Sequence, residues 1–150
     1  MNHDAVALLI RQKASRFGDR DPQTRRLLVS TLAKVDPEEL RIGLVQVFTT
    51  GEPPPTSSAA QELAGHLLAE LNPVGEVDLD AVLRAALPRY ELSVEQFPYF
   101  LATACGKQAV LDAIARIVAA DLPQEQRRAA ETLSFWLRQW SQTSCGANEA

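Results

Sequence analysis

Pro22-Gln-Thr-Arg-Arg26-Leu-Leu-Val29-Ser-Thr-Leu32 reads as the opening of an amphipathic helix. The chain repeats that reading twice, as Pro37-Glu-Glu-Leu-Arg41-Ile-Gly-Leu44-Val-Gln-Val47 and as Pro123-Gln-Glu-Gln-Arg127-Arg-Ala-Ala130-Glu-Thr-Leu133. In each, an Arg stands four residues after the Pro and apolar residues stand seven and ten after it. Proline suits the first helical position, where its missing N–H has no acceptor to lose. Residues three apart share one helix face. Asp21 and Asp36 precede the first two prolines, where a carboxylate can accept the exposed N–H groups of the first turn. The pattern is one of packed helices and carries no catalytic signature.

The same periodicity extends outward over the whole chain and predicts eight helices and no strand. The first runs over about 4–17 with Val6, Ile10, Ala14 and Phe17 inward, and Gly18 ends it. The second covers about 22–35 on Leu28, Leu32 and Val35. The third, about 37–49, carries Leu40, Leu44, Val47 and Phe48, with Ile42 and Val45 forming a second apolar side that makes it more central than its neighbours. Gly51-Glu-Pro-Pro-Pro55 is a stiff extended link. It divides a single helical domain (1–150) into sub-lobes 1–50 and 56–142, with 143–150 a flexible tail. The fourth helix starts at Ser57 or Ser58 and stops at Asn72-Pro73, and the fifth runs from Asp78 to Pro88. Ser93-Val-Glu-Gln96 has the spacing of a capping box, but Pro98 lies too deep for a helix beginning there. The sixth helix is therefore expected to start at Pro98 after a separate turn, on Phe97, Phe100, Leu101, Ala104 and Cys105. The seventh covers about 107–120 and the eighth about 123–142, the latter on Ala129, Leu133, Trp136, Leu137 and Trp140.

Composition narrows the classes of function. A chain of 150 residues buries enough surface to fold without a disulfide or metal. Its longest purely apolar run, Ala5 to Ile10, is far too short to span a bilayer, and Met-Asn-His-Asp lacks the basic region and long apolar stretch of a signal peptide, so none is expected. Cys105 and Cys145 read as one buried and one mobile thiol in a reducing cytoplasm, with a disulfide between them the alternative. Two cysteines and the distant His3 and His66 match no familiar metal-ligand spacing, so neither metal nor cofactor is expected. The net charge of −4 is uneven: residues 1–35 hold seven Lys/Arg against three Asp/Glu, and residues 36–150 hold eight against sixteen. An acidic majority argues against wholesale nucleic-acid binding. The polarity suits a charged partner, or a second copy of the chain.

The repeated helix start resembles the second-helix signature of HEAT repeats, in which a helix-starting Asp or Pro is followed by an Arg and then by Ala and Leu at helical steps. Asp121-Leu-Pro-Gln-Glu-Gln-Arg127-Arg-Ala-Ala130-Glu-Thr-Leu133 matches it best. Gln126 replaces the family's branched apolar residue, and Pro22 and Pro37 lie fifteen apart, whereas HEAT units repeat at roughly 40–47 residues. The resemblance implies a right-handed α-solenoid-like stack of helical hairpins that binds another macromolecule. An irregular bundle is the alternative.

The candidate contact residues fall in two groups. Arg11, Arg16, Arg20, Arg25 and Arg26, with Lys13, lie on or between the first two helices and mostly off their apolar stripes, as a phosphate or acidic-partner patch or as a solvated face. Phe97, Phe100, Trp136 and Trp140 follow helical stripes and belong to the core. Tyr99 and Phe135 lie to the side of theirs and are the better candidates for surface contact. His66 faces away from its helix stripe and is read as an exposed helix histidine. Glu38-Glu39 and the Asp78/Asp80 pair sit at helix starts, where capping and dipole effects account for them. The resulting expectation is a cytoplasmic, non-catalytic protein-binding module, such as an adaptor, chaperone or inhibitor, that can also self-associate. Two rivals stand beside it. One is a helical repeat that binds nucleic acid through the N-terminal arginines. The other is an enzyme with carboxylates converging on a pocket around His66, or around Tyr90 and Tyr99.

Overall fold

A computed structural model describes residues 1–140, and the expected tail and Cys145 lie outside them. Eight α-helices follow one another: α1 (His3–Phe17), α2 (Pro22–Leu32), α3 (Pro37–Thr49), α4 (Ser58–Leu71), α5 (Leu79–Ala86), α6 (Gln96–Cys105), α7 (Lys107–Ala119) and α8 (Gln124–Gln139). A 3₁₀ turn over Leu87–Arg89 extends α5. No strand occurs among the described residues, and none of their helices is long and apolar enough to cross a membrane.

Local chemistry sets most helix ends. Asn2 accepts the Ala5 N–H at 2.9 Å to start α1. Asp36 accepts from the N–H groups of Glu38 and Glu39 at 3.2 and 3.4 Å, as expected of a residue before Pro37. Asp78 accepts the Ala81 N–H at 3.3 Å. Asn72 closes α4 in the left-handed conformation, and Pro73 follows it. Asp21 behaves differently. It takes no backbone N–H hydrogen bond and instead accepts the Thr24 hydroxyl at 2.6 Å.

Pro98 sits in the first turn of α6, two residues inside a helix that begins at Gln96, so the helix opens earlier than the sequence suggests. The reason is that first-turn N–H groups have no intrahelical acceptor, and a proline there costs little. The preceding turn is closed by the Val94 N–H to the Glu91 carbonyl at 3.1 Å. Ser93 does not form a capping box, because its hydroxyl turns away to Glu62.

The centre is built around α3 and α4. α3 packs on α1, α4 and α5, and buries Leu40, Leu44, Val45, Val47 and Phe48. Gly43 permits the approach of α1: a Cβ there would stand 2.6 Å from Val6 Cβ and 2.7 Å from the His3 carbonyl oxygen. Phe48 of α3 stacks on Phe97 of α6, with ring centroids 4.3 Å apart. α4, which follows the proline run, packs on α1, α2, α3 and α6. One continuous hydrophobic cluster runs from Val6 to Leu137. The buried Gln61 on α4 is fully used: it donates to the Arg89 carbonyl and the Ser57 hydroxyl and accepts the Glu91 N–H.

The last turn of α3 has no basic residue of its own. Arg11 supplies one from α1, donating to the Thr50 carbonyl and hydroxyl at 3.1 and 2.7 Å. Arg89 supplies another from the far side, donating to the carbonyls of Thr49 and Gly51 at 2.6 and 3.2 Å. Two guanidinium groups thus meet the negative end of one helix dipole.

Phe17 departs from its expected inward place. The buried stripe of α1 stops at Ala14, and Phe17 is 43% exposed, with Lys13 and Arg16 over its ring. Ala104 is also exposed, and Trp136 and Trp140 are half-buried at the edge of the core.

Candidate functional site

A groove of about 600 Å³ lies between the α1–α2 loop, one face of α4 and the turn before α6. Each wall has a local cause. α1 ends at Gly18, whose φ of 74° turns the chain so that Asp19 comes back over α4. On α4, Glu62 and His66 are four residues apart and project from one face, one turn above the other. Gly65 lets the third wall approach, since a Cβ there would lie 2.8 Å from Val94 Cγ1. Asp19, Glu62 and His66 each bring a ligand atom to within 4.8 Å of the others, and all three are half-buried.

Two serines organise the acidic groups around this cluster. The Ser93 hydroxyl donates to Glu62 Oε1 at 2.7 Å, and the Ser58 hydroxyl donates to Glu91 Oε1 at 2.6 Å. Arg20 and Arg25 line the same groove. Neither makes an ion pair among the described residues. Chemically, the groove offers one imidazole, three carboxylates and two guanidinium groups.

The expected contact residues are divided by the structure. Arg16, Arg20 and Arg26 are exposed, and Arg25 is half-buried between the large groove and a smaller one formed with Pro22, Val29 and Glu70. Arg11 is taken up by the end of α3; burial, and then the nearby Arg89, push its pKa down from the ordinary value. At the other end of the molecule Phe135 is 52% exposed and meets Trp136 edge-on, with centroids 5.4 Å apart. Tyr99 is half-buried and stacks on Trp140 at 6.3 Å, and burial pushes its phenol up.

The chain matches no family model, no curated protein and no solved structure. Its own geometry therefore carries the functional reading. Tyr90 is buried and donates to the Val94 carbonyl at 2.7 Å, and burial drives its phenol far up. It is a structural group in a water-poor setting. The half-buried Cys105 thiol is likewise pushed up by burial, which disfavours the thiolate. Asp19 and Glu62 come close to His66, while Glu91, Glu62 and Glu95 add to the upward push on Tyr90. Reading α4 alone reveals the Glu62/His66 spacing. Asp19 lies more than forty positions earlier, and no local signal connects it to that pair.

Proposed function

We propose that the chain is a non-catalytic helical binding module whose α1–α2 corner docks an acidic segment of another protein. One observation carries this reading. Arg16, Arg20, Arg25 and Arg26 make no ion pair among the described residues, and exposed Phe17 lies beneath Arg16, whose guanidinium carbon is 5.1 Å from the ring centroid. Unpaired guanidinium groups recognise carboxylates with two parallel hydrogen bonds, and an exposed ring beside them adds apolar contact. The remainder of the chain is strongly acidic, and Asp19 and Asp21 interrupt the basic stretch. A continuous phosphate backbone would face their repulsion along its length, whereas a short acidic segment can set its carboxylates against the arginines and away from the aspartates. The close packing of α1 on α3 gives such a corner a rigid frame.

The test is affinity capture from the native host, with the intact chain beside its Arg16→Glu/Arg26→Glu variant. Each arm is repeated with polyglutamate or duplex DNA as competitor. The expected result is one defined protein that the variant fails to hold and that polyglutamate displaces. Equal capture by the variant would overturn the proposal. Displacement by DNA alone, with co-purifying nucleic acid, would favour the nucleic-acid reading instead.

A further inference from the structure

We propose that Asp19, Glu62 and His66 bind a divalent transition-metal ion of the zinc class, which ties the α1–α2 loop to α4. The inference stands on the groove itself and does not depend on the docking partner. Its ligand atoms come from two separate parts of the chain, and each is within 4.8 Å of the other two. Donors around a tetrahedral ion at about 2.1 Å stand roughly 3.4 Å apart, so the furthest pair needs to close by no more than about 1.4 Å through rotation of half-buried side chains. Two of the three, Glu62 and His66, are already on one face of a rigid helix. Glu62 is held in orientation by Ser93, whose hydroxyl donates to Oε1 and leaves Oε2 for the ion. A hydrogen-bonded ligand carboxylate of this kind is a recurrent support of metal sites.

The surroundings select the class of ion. Glu91 adds a third carboxylate to the groove, and Arg20 and Arg25 add two positive charges. With His66 neutral, the groove sums to only one negative charge, which gives little Coulombic attraction for a cation. Calcium needs six to eight oxygen donors, and magnesium a hydrated octahedron of hard oxygens. An imidazole with two carboxylates is a borderline set that suits zinc, nickel or copper, which gain from directed bonds. Three protein ligands leave one position for water or for a partner's side chain. The bound ion would fix the loop that carries Arg20 and precedes Arg25.

The experiment is calorimetric titration of the intact chain with zinc chloride, with magnesium and calcium chlorides as parallel arms. Cobalt(II) absorption reports on ligand type. One zinc per chain is expected, with no saturable heat from magnesium or calcium and no thiolate-to-cobalt charge-transfer band. His66→Ala and Asp19→Asn should each weaken zinc by roughly tenfold or more while keeping the wild-type circular-dichroism spectrum. His3→Ala should change nothing. If a variant loses its helical spectrum, Glu62→Gln, which keeps the side-chain size, replaces it in the comparison. Absence of stoichiometric zinc binding, unchanged affinity in the tested ligand variants, or a thiolate band would each overturn the inference. Because the readout is metal affinity, its failure is independent of any result with a protein partner.

Discussion

α2 and α3 begin with the same four-part device, an Asp, a Pro, an Arg four residues on and an apolar residue three beyond that, yet the two helices have different fates. In α3 the Asp caps two N–H groups, Arg41 is 9% exposed, and Leu44 is fully buried. In α2 the Asp takes a threonine hydroxyl, Arg26 is exposed and hydrogen-bonds only within its own helix, to the Pro22 carbonyl, and Val29 is half-buried. The difference lies in what surrounds each helix. α3 is enclosed by α1, α4 and α5, whereas α2 packs mainly on α4 with a smaller contact to α1. A sequence motif sets how a helix starts; the number of neighbours sets what each of its side chains is worth.

Three substitution pairs sharpen that contrast. The largest effect is expected at the position seven after proline. Leu44→Ala should cost about 2–5 kcal/mol, because the enclosed site cannot collapse on the cavity. Val29→Ala should cost less than about 1.5 kcal/mol, since solvent already reaches it. Denaturant midpoints with unchanged slopes measure both. Equal losses would mean that α2 is as central as α3.

The arginine pair comes next. Arg41 donates to the Val74 carbonyl at 3.3 Å and lies 3.7 Å from Glu38. Arg41→Ala leaves that carbonyl short of a donor and removes the packed side-chain stem, and should cost about 1–3 kcal/mol. Arg26→Ala should stay within about 0.5 kcal/mol, as for other surface changes. A measurable loss at Arg26 with none at Arg41 would reverse the assignment of roles.

The caps give the smallest effects. Asp36→Ala should cost about 1 kcal/mol at neutral pH. The Thr24 hydroxyl holds the Asp21 carboxyl below its ordinary value. A depressed carboxyl contributes stability that is present above its unfolded pKa and is lost as pH falls through its folded one. Thr24→Val should therefore be less stable than the wild type at neutral pH, and the gap should close on acidification below the usual Asp range. Thermal melts at stepped pH check this. A gap that persists unchanged into acid would mean that the threonine acts through packing alone.

Much of the fold is legible in the residues. Asp36, Asp78, Asn72 and the prolines act on the backbone within a few residues of themselves, so their effects need no knowledge of the rest. The start of α6 was less readable because Ser93 is drawn off by Glu62, thirty-one positions away. Phe17 follows the helical stripe but lies beyond the buried stretch of α1, which ends at Ala14. The arginine group reads as one patch in the sequence, yet Arg11 is captured by the end of α3 while its neighbours are not. Tyr99 and Phe135 look alike as off-stripe aromatics. Only the place of Trp140 separates them, by covering one and not the other.

The residues by themselves determined an all-helical chain, because helix periodicity and caps are short-range properties that each segment expresses alone. The tertiary structure alone decided which charges are free, which helix is enclosed, and that Asp19 meets Glu62 and His66. Those are properties of distance in space, and the loop and helix that create them lie far apart along the chain.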